Sequence, residues 1–416
     1  MDTINPKPFQ IPKQLVWEAW KLVKANEGSA GVDEESLEDF ERNLKDNLYK
    51  LWNRMTSGSY MPPPVKGVAI PKKTGGQRML GVPCVADRIA QTVVKLTFEP
   101  IVEKVFLPDS YGYRPNKSAH DAIDITRQRC WKYDWVLEFD IKGLFDNIPH
   151  ELLLKAVSLH TQCKWTLLYI ERWLRAPMVM PDGSIKPRDK GTPQGGVVSP
   201  VLSNLFLHYV FDKWMTTNYK ENPWCRYADD GLVHCKSYDE ANSILCSLGQ
   251  RFKECGLELH PEKTKIVYCK DSKRKQEYPV NEFKFLGFTF IGRTAMNRQT
   301  KELFNSFQPA VSKDALKAMR KQVKLKWKLH LRSEVSLEIL AEMYNPVIRG
   351  WMQYYGKFYK TELSSLANYI NMKLVRWARR KYKSLKTHKQ KAYDWLVRVF
   401  NANPTLFVYW KWFKVC

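Results

Sequence analysis

Pro223-Trp-Cys-Arg-Tyr227-Ala228-Asp229-Asp230-Gly231-Leu-Val-His-Cys235 sets two adjacent carboxylates between two short apolar runs. Each run suits a strand, and the junction suits a tight turn. A third carboxylate is expected beside the pair. In Trp135-Val-Leu-Glu-Phe-Asp-Ile141, Trp135, Leu137, Phe139 and Ile141 alternate onto one face of a strand, while Glu138 and Asp140 share the other. Asp140 is therefore the candidate partner of Asp229 and Asp230, with two strands presenting acidic side chains to one spot. Clustered carboxylates repel one another and stay ionised only when a cation compensates them. Their oxygens favour hard divalent ions, magnesium first, with manganese able to substitute. Two such ions roughly 3.5–4 Å apart serve phosphoryl or nucleotidyl transfer by activating an attacking hydroxyl and stabilising a leaving oxygen. An Asp-Asp pair alone is common, so its surroundings decide.

The chain as a whole is strongly basic. The 416 residues carry a formal charge of +24, and residues 301–416 hold +17 of it, with 24 Lys and Arg against 7 Asp and Glu. Six of the fifteen Trp lie in the same stretch. Basic surface interleaved with aromatics is the composition of a nucleic-acid contact. Nine Cys occur singly, with no Cys-x-x-Cys pair, which excludes a disulfide framework and a structural zinc finger as organising principles. No long apolar run suggests a secretory signal or a membrane span, so a soluble, cytoplasmic protein is expected.

Local patterns order the chain. Leu15, Trp17, Trp20, Leu22 and Val23 give residues 14–26 a helical period. Val65 to Ile70 and Met79 to Val82 flank the turn Lys73-Thr-Gly-Gly76 as a candidate hairpin. Helices are predicted near Ala86 to Val105 and Ala119 to Tyr133, and from Pro149. Gly191-Thr-Pro-Gln-Gly-Gly196 is a loop, after which Ser199 suits an N-cap and Pro200 a first helical position. Past Gly292 the period reads as helical. Ser312 suits the cap of a helix with Lys317, Lys321, Lys324 and Lys328 on one side, and a helix near Leu363 to Lys386 aligns Lys373, Arg376, Arg380 and Lys383.

Three blocks in order, Phe139-Asp140-Ile-Lys-Gly-Leu-Phe145-Asp-Asn147, Gly191-Thr-Pro-Gln-Gly-Gly-Val-Val-Ser-Pro200 and Tyr227-Ala-Asp-Asp230, resemble the successive motifs of reverse transcriptases. The chain more narrowly resembles the reverse transcriptase and maturase encoded within bacterial group II introns. The likeness extends from Gly28-Ser-Ala-Gly-Val-Asp33 and Ile70-Pro-Lys-Lys-Thr-Gly-Gly-Gln-Arg-Met-Leu-Gly-Val-Pro83, through Ser110-Tyr-Gly-Tyr-Arg-Pro-Asn116, to Phe285-Leu-Gly-Phe288 and Arg349-Gly-Trp-Met-Gln-Tyr-Tyr355. It implies an α+β right-hand polymerase. Residues 1–134 would form an N-terminal extension and fingers, and 135–300 a palm with finger elements around 165–205. Residues 301–400 would form a helical thumb and maturase region, followed by a tail at 401–416.

The resemblance also implies roles. Asp140 and Asp229 would bridge two magnesium ions, the Ile141 carbonyl would complete one shell, and Asp230 would be a weaker ligand. Lys72 and Arg78, on opposite sides of the Gly-Gly turn, would clamp the triphosphate of an incoming deoxynucleotide. Phe145 would wall off the sugar 2′ position, although a Phe in such a segment is by default core. Gln194, Gly195 and Gly196 would lie under the nascent base pair. Arg114 matches a template-touching position, and an Arg before Pro also suits bracing its own loop. Lys263 matches a proposed donor to the leaving pyrophosphate, with Lys265 an alternative. Expected partners are an RNA template, a DNA or RNA primer, deoxynucleotides and a group II intron RNA. The end at Lys411-Trp-Phe-Lys-Val-Cys416 lacks the His and Cys spacing of a metal-binding endonuclease, so that activity is not expected. Two other readings stand beside this one: an RNA-binding maturase with a vestigial polymerase site, and a related polymerase recruited to defence or repair.

Overall fold

The computed structural model describes residues 7–71, 75–297 and 299–415. Two compact units make up the chain: Met1–Ala122 with Leu137–Lys265, and Ile123–Val136 with Ile266–Cys416. Boundaries at 134 and 300 follow motif order, whereas the compact units part at residue 265. The Ile123–Val136 segment joins the later unit because its backbone finds partners there. Arg274 donates to the carbonyls of Cys130 (2.9 Å) and Tyr133 (2.7 Å), and the Cys269 amide donates to Asp134 O (2.8 Å).

The first unit is built on the helix Val85–Glu103, predicted as 86–105, whose N-terminal half is buried on all sides. A helix that apolar belongs in a core. Asp87, Arg88, Gln91 and Thr92 are its polar exceptions, and each makes a hydrogen bond. The Asp87 carboxylate accepts from Tyr60 Oη (2.7 Å), Trp173 Nε1 (2.7 Å) and Gln91 Nε2 (2.9 Å). Against this helix packs Lys13–Ala25, which turns inward Val16, Ala19, Trp20 and Val23, at positions i, i+3, i+4 and i+7. Trp17 and Leu22, read as part of that face, are exposed. The hairpin forms as expected from Val65–Pro71 and Gln77–Val82, with Gly67 opposite Gly81 and Ile70 opposite Arg78. Its first strand also runs parallel to Met178–Val179.

Two helix starts differ from expectation by one residue. Pro149 occupies the extended N-cap position before His150–Ser158. Ser199 lies inside its helix, Ser199–Leu207, because its hydroxyl is engaged by Thr192 Oγ1 at 2.6 Å rather than by a backbone amide. That helix widens into a π turn, His208–Asp212, which the sequence pattern did not signal. Such turns concentrate near functional sites.

In the second unit Phe283–Phe285, Phe288–Met296 and Leu303–Val311 form a three-stranded antiparallel sheet. The expectation of helix past Gly292 is corrected here. Phe288 to Met296 pair residue for residue with Val311 to Leu303, so the hairpin continues and helix begins at Lys313. Ser312 caps it by accepting from the Ala315 amide at 3.1 Å. Beyond it, Leu337–Tyr355, Ser364–Lys381 and Lys389–Ala402 share one core containing Trp327, Ile348, Leu374, Trp377, Leu396 and Trp410.

Candidate active site

Strand Trp135–Asp140 ends on Asp140, and strands Trp224–Tyr227 and Asp230–Cys235 meet at the Asp229–Asp230 turn. Asp230–Cys235 lies between the other two, so adjacent strands deliver all three carboxylates. Gly231 permits that approach: a Cβ there would stand 2.1 Å from the Phe139 ring. The carboxylates feel one another. Burial, then the charges of Asp229 and Asp140, push Asp230 up to about 7. Asp229 is also raised, by burial first and Asp140 next. The Lys263 ammonium answers them in part, 2.8 Å from Asp140 Oδ2. It is brought there because the 258–260 backbone is stitched to the end of the Asp140 strand. Lys142 N donates to Glu258 O (2.9 Å), His260 N donates to Asp140 O (2.8 Å), and Ile141 bridges Leu259. Lys265 pairs instead with Glu138 at 3.3 Å.

Among the described residues no three His, Cys, Asp or Glu side chains are close enough to form a ready ligand set. The expected convergence on one spot is therefore an electrostatic coupling rather than a closed cage. The donors still suit a hard divalent ion, since they are carboxylate oxygens whose shared charge already recruits a cation.

A buried guanidinium holds the turn. Arg226 and Asp212 both have fully buried side chains, with Nε and Nη2 each 2.7 Å from a carboxylate oxygen. The rest of the fork donates to Ala228 O (3.1 Å), Asn204 Oδ1 (3.0 Å) and Ser110 Oγ (2.8 Å). Ala228 takes the left-handed conformation, φ 57°, and its carbonyl is the one the guanidinium holds. The π turn aims Asp212 inward at this hub. Sequence reasoning missed both residues; an Arg in an apolar strand directly before the turn was the available signal. Tyr113 was missed too. Its phenol is raised by burial and then by the charge of Asp229, with Arg78 opposing.

On the hairpin, the Arg78 guanidinium donates to the Gln194 side-chain oxygen. The Gly81 amide donates to Gln194 O at 2.8 Å, so the glycine loop lies on the hairpin strand. Gly195, at φ 123°, is required there: a Cβ would come 2.5 Å from Gly81 O. Gln91 holds the loop from behind, its Oε1 accepting from Val197 N at 2.7 Å. Phe145 is buried at 7% exposure and lines, with Met79, Met178, Pro193 and Gln194, a cavity of about 280 Å³. Lys72 lies outside the described residues. Arg114 makes the bracing contacts that an Arg before Pro suits: its side chain, 6% exposed, bonds Glu103 (2.6 Å) and the carbonyls of Leu107 (2.6 Å) and Ser110 (2.7 Å).

Residues 70–290, which contain this whole constellation, match the family model described as reverse transcriptase (RNA-dependent DNA polymerase). The chain belongs to that family. Residues 316–395 of this reverse transcriptase match the group II intron, maturase-specific domain. Protein YkfC of Escherichia coli is 28% identical over 324 residues, covering 68% of this chain and 81% of that protein. Group II intron-encoded protein LtrA of Lactococcus lactis is 28% identical over 271 residues, covering 64% of this chain and 43% of LtrA. The putative COX1/OXI3 intron 1 protein of Saccharomyces cerevisiae is 33% identical over 168 residues, 40% of this chain and 20% of that protein.

Within the maturase-specific match the two basic stripes change form. Lys317 and Lys321 are exposed on the helix Lys313–Gln322, but Lys324 sits in a π turn and Lys328, at φ 45°, ends it, so the stripe is not continuous. Lys373 is half-buried, its Nζ 5.0 Å from the Tyr369 ring centroid. Arg376, Arg380 and Lys383, together with Arg379, Lys386 and His330, line a cleft of about 610 Å³. Burial and then Arg380, Arg376, Lys373 and Lys328 lower the His330 pKa. Among the described residues no helix is long and apolar enough to cross a membrane.

Proposed function

We propose that this reverse transcriptase extends a primer on an RNA template at the Asp140, Asp229 and Asp230 site, and that the maturase-specific region binds a group II intron RNA to assist its splicing and mobility. The observation that carries the reading is the delivery of three carboxylates by adjacent strands, with the Lys263 ammonium 2.8 Å from Asp140 beside them. Asp140, Asp229 and Asp230, with the Ile141 carbonyl, would hold two divalent ions, magnesium by donor type, with manganese able to substitute. Bound there, such ions lower the pKa of a primer hydroxyl and neutralise charge growing on a triphosphate.

The chain's own residues do the remainder. Arg78, oriented by Gln194, meets the triphosphate together with Lys72. Phe145 closes the sugar side of the cavity, and Gly195 lets backbone lie against the nascent pair. Lys263, 2.8 Å from Asp140, would donate a proton to the leaving group. In this reading residues 1–134 serve as fingers, 135–300 as palm and 301–400 as thumb. Primer extension with deoxynucleotides on an RNA template tests it. Asp229→Ala should reduce the rate by at least about a thousandfold, equivalent to roughly 4 kcal/mol of transition-state stabilisation. A rate within a few-fold of the parent would overturn the assignment of Asp229 as a metal ligand, and no extension by the parent itself would favour the vestigial-site reading.

A further inference from the structure

The second unit contains an open cleft of about 500 Å³ that the nucleotidyl-transfer chemistry does not use, lined among others by Trp131, Lys273, Phe304, Asn305, Ser306 and Gln308. Two large rings face solvent at its edges, Trp131 at 44% exposure and Phe304 at 43%. The indole is fixed rather than loose. Its Nε1 donates to Phe307 O at 3.0 Å, and the Arg127 guanidinium stacks 5.0 Å from its centroid. Arg127 is itself anchored, 2.7 Å from Asp124 and 5.3 Å from the Phe358 ring centroid. Opposite, the wall is stitched by reciprocal bonds, Asn305 N to Ser272 Oγ at 2.6 Å and Ser272 N to Asn305 O at 3.0 Å. The acid in the cleft, Asp271, is neutralised by Arg274 and by the amides of Lys273 and Arg274, each at 2.9 Å. The Trp131 indole and the wall are thus ordered in advance, which lowers the entropic cost of binding.

We propose that this cleft takes an unpaired nucleobase of a single strand, stacked on Trp131 and Phe304. The carboxamides of Asn305 and Gln308 meet its edge, and Lys273 meets the adjoining phosphate. An aromatic face with a cation behind it, a second exposed ring, a polar wall rich in amides and hydroxyls, and a net positive chain together describe a base-stacking subsite better than an apolar protein contact. The inference rests on the reading that this chain handles nucleic acid, and gives it a place to hold a strand outside the duplex being copied.

The test uses the full chain and two 12-nucleotide single strands, one RNA and one DNA, each with a single 4-thiouracil base, against a hairpin duplex of the same length. Photocrosslinks should map to the Trp131 or Phe304 peptides. Trp131→Ala and Phe304→Ala should each weaken single-strand binding roughly tenfold, with the duplex affected less than twofold and Trp131→Phe recovering most of the loss. The RNA and DNA arms show which strand is preferred. If Trp131→Ala melts early, Phe304→Ala, on an exposed strand end, decides. Unchanged single-strand affinity in the folded variants, or equal losses for strand and duplex, overturns the proposal. Primer extension by the unaltered chain is run alongside, so that failure of the polymerase reading is seen separately.

Discussion

Arg226 and Phe145 carry the sharpest predictions at the scale of single residues. Removing one partner of a fully buried ion pair leaves an uncompensated charge, so Arg226→Ala should cost about 3–5 kcal/mol of stability. Replacing both partners, Arg226→Leu with Asp212→Leu, should return the melting temperature to within a few degrees of the parent, because an apolar pair of similar volume is often neutral. The extension rate should stay at least about tenfold down, since nothing then grips Ala228 O. Recovery of rate together with stability would make the hub merely structural. For Phe145→Val, the ratio of kcat/KM for ribonucleotides over deoxynucleotides should rise about tenfold or more, because one wall of the cavity is lost. The carboxylates were legible in the sequence because period-two alternation assigns Asp140 and Phe139 to opposite faces. Arg226 was not legible: alternation says where its side chain points but not that Asp212 waits there, which depends on a π turn with no sequence pattern of its own.

Among the elements, the basic cleft is where sequence and structure parted most usefully. A helical wheel extends a stripe indefinitely, but Lys328 follows a turn that ends the helix, and Lys373 lies along Tyr369. Cations gather instead where the end of Ser364–Lys381, the following turn and His330 meet. Replacing Arg376, Arg380 and Lys383 with Gln should leave the fold intact, these residues being exposed, and should flatten the plot of log K for a structured RNA against log salt by roughly 0.7–0.9 for each phosphate no longer neutralised. Lys373→Gln alone should change that slope less than Arg376→Gln. Equal slopes for parent and triple variant would remove the cleft from the RNA surface. The hairpin past Gly292 was misread for a related reason: strand Leu303–Val311 takes its conformation from pairing with Phe288–Met296, a partner that local periodicity cannot see.

For the molecule as a whole, buried ionisable groups tie stability to pH. Burial first, and then the cations Lys213 and Arg226, depress His208 to about 4. Its ordinary value is 6.5, so on acidification the unfolded chain takes up this proton before the folded one. The stabilising contribution is therefore complete above about 6.5 and is lost as pH falls towards 4, at up to roughly 1.4 kcal/mol per pH unit. His150 is depressed as well and adds in the same direction. Asp230, held near 7, slopes the opposite way, so the His208 share is read as a difference. The fall in melting temperature between about pH 7.5 and 5.5 should be smaller for His208→Gln than for the parent, and an equal fall would acquit His208.

Heat gives the Arg226–Asp212 pair another meaning. The hydration that charged groups forfeit on burial loses value as temperature rises, so a dehydrated ion pair becomes relatively more favourable under the conditions that weaken other interactions. The turn carrying Asp229 and Asp230 is thus fastened by a clasp that loosens less than its surroundings on warming.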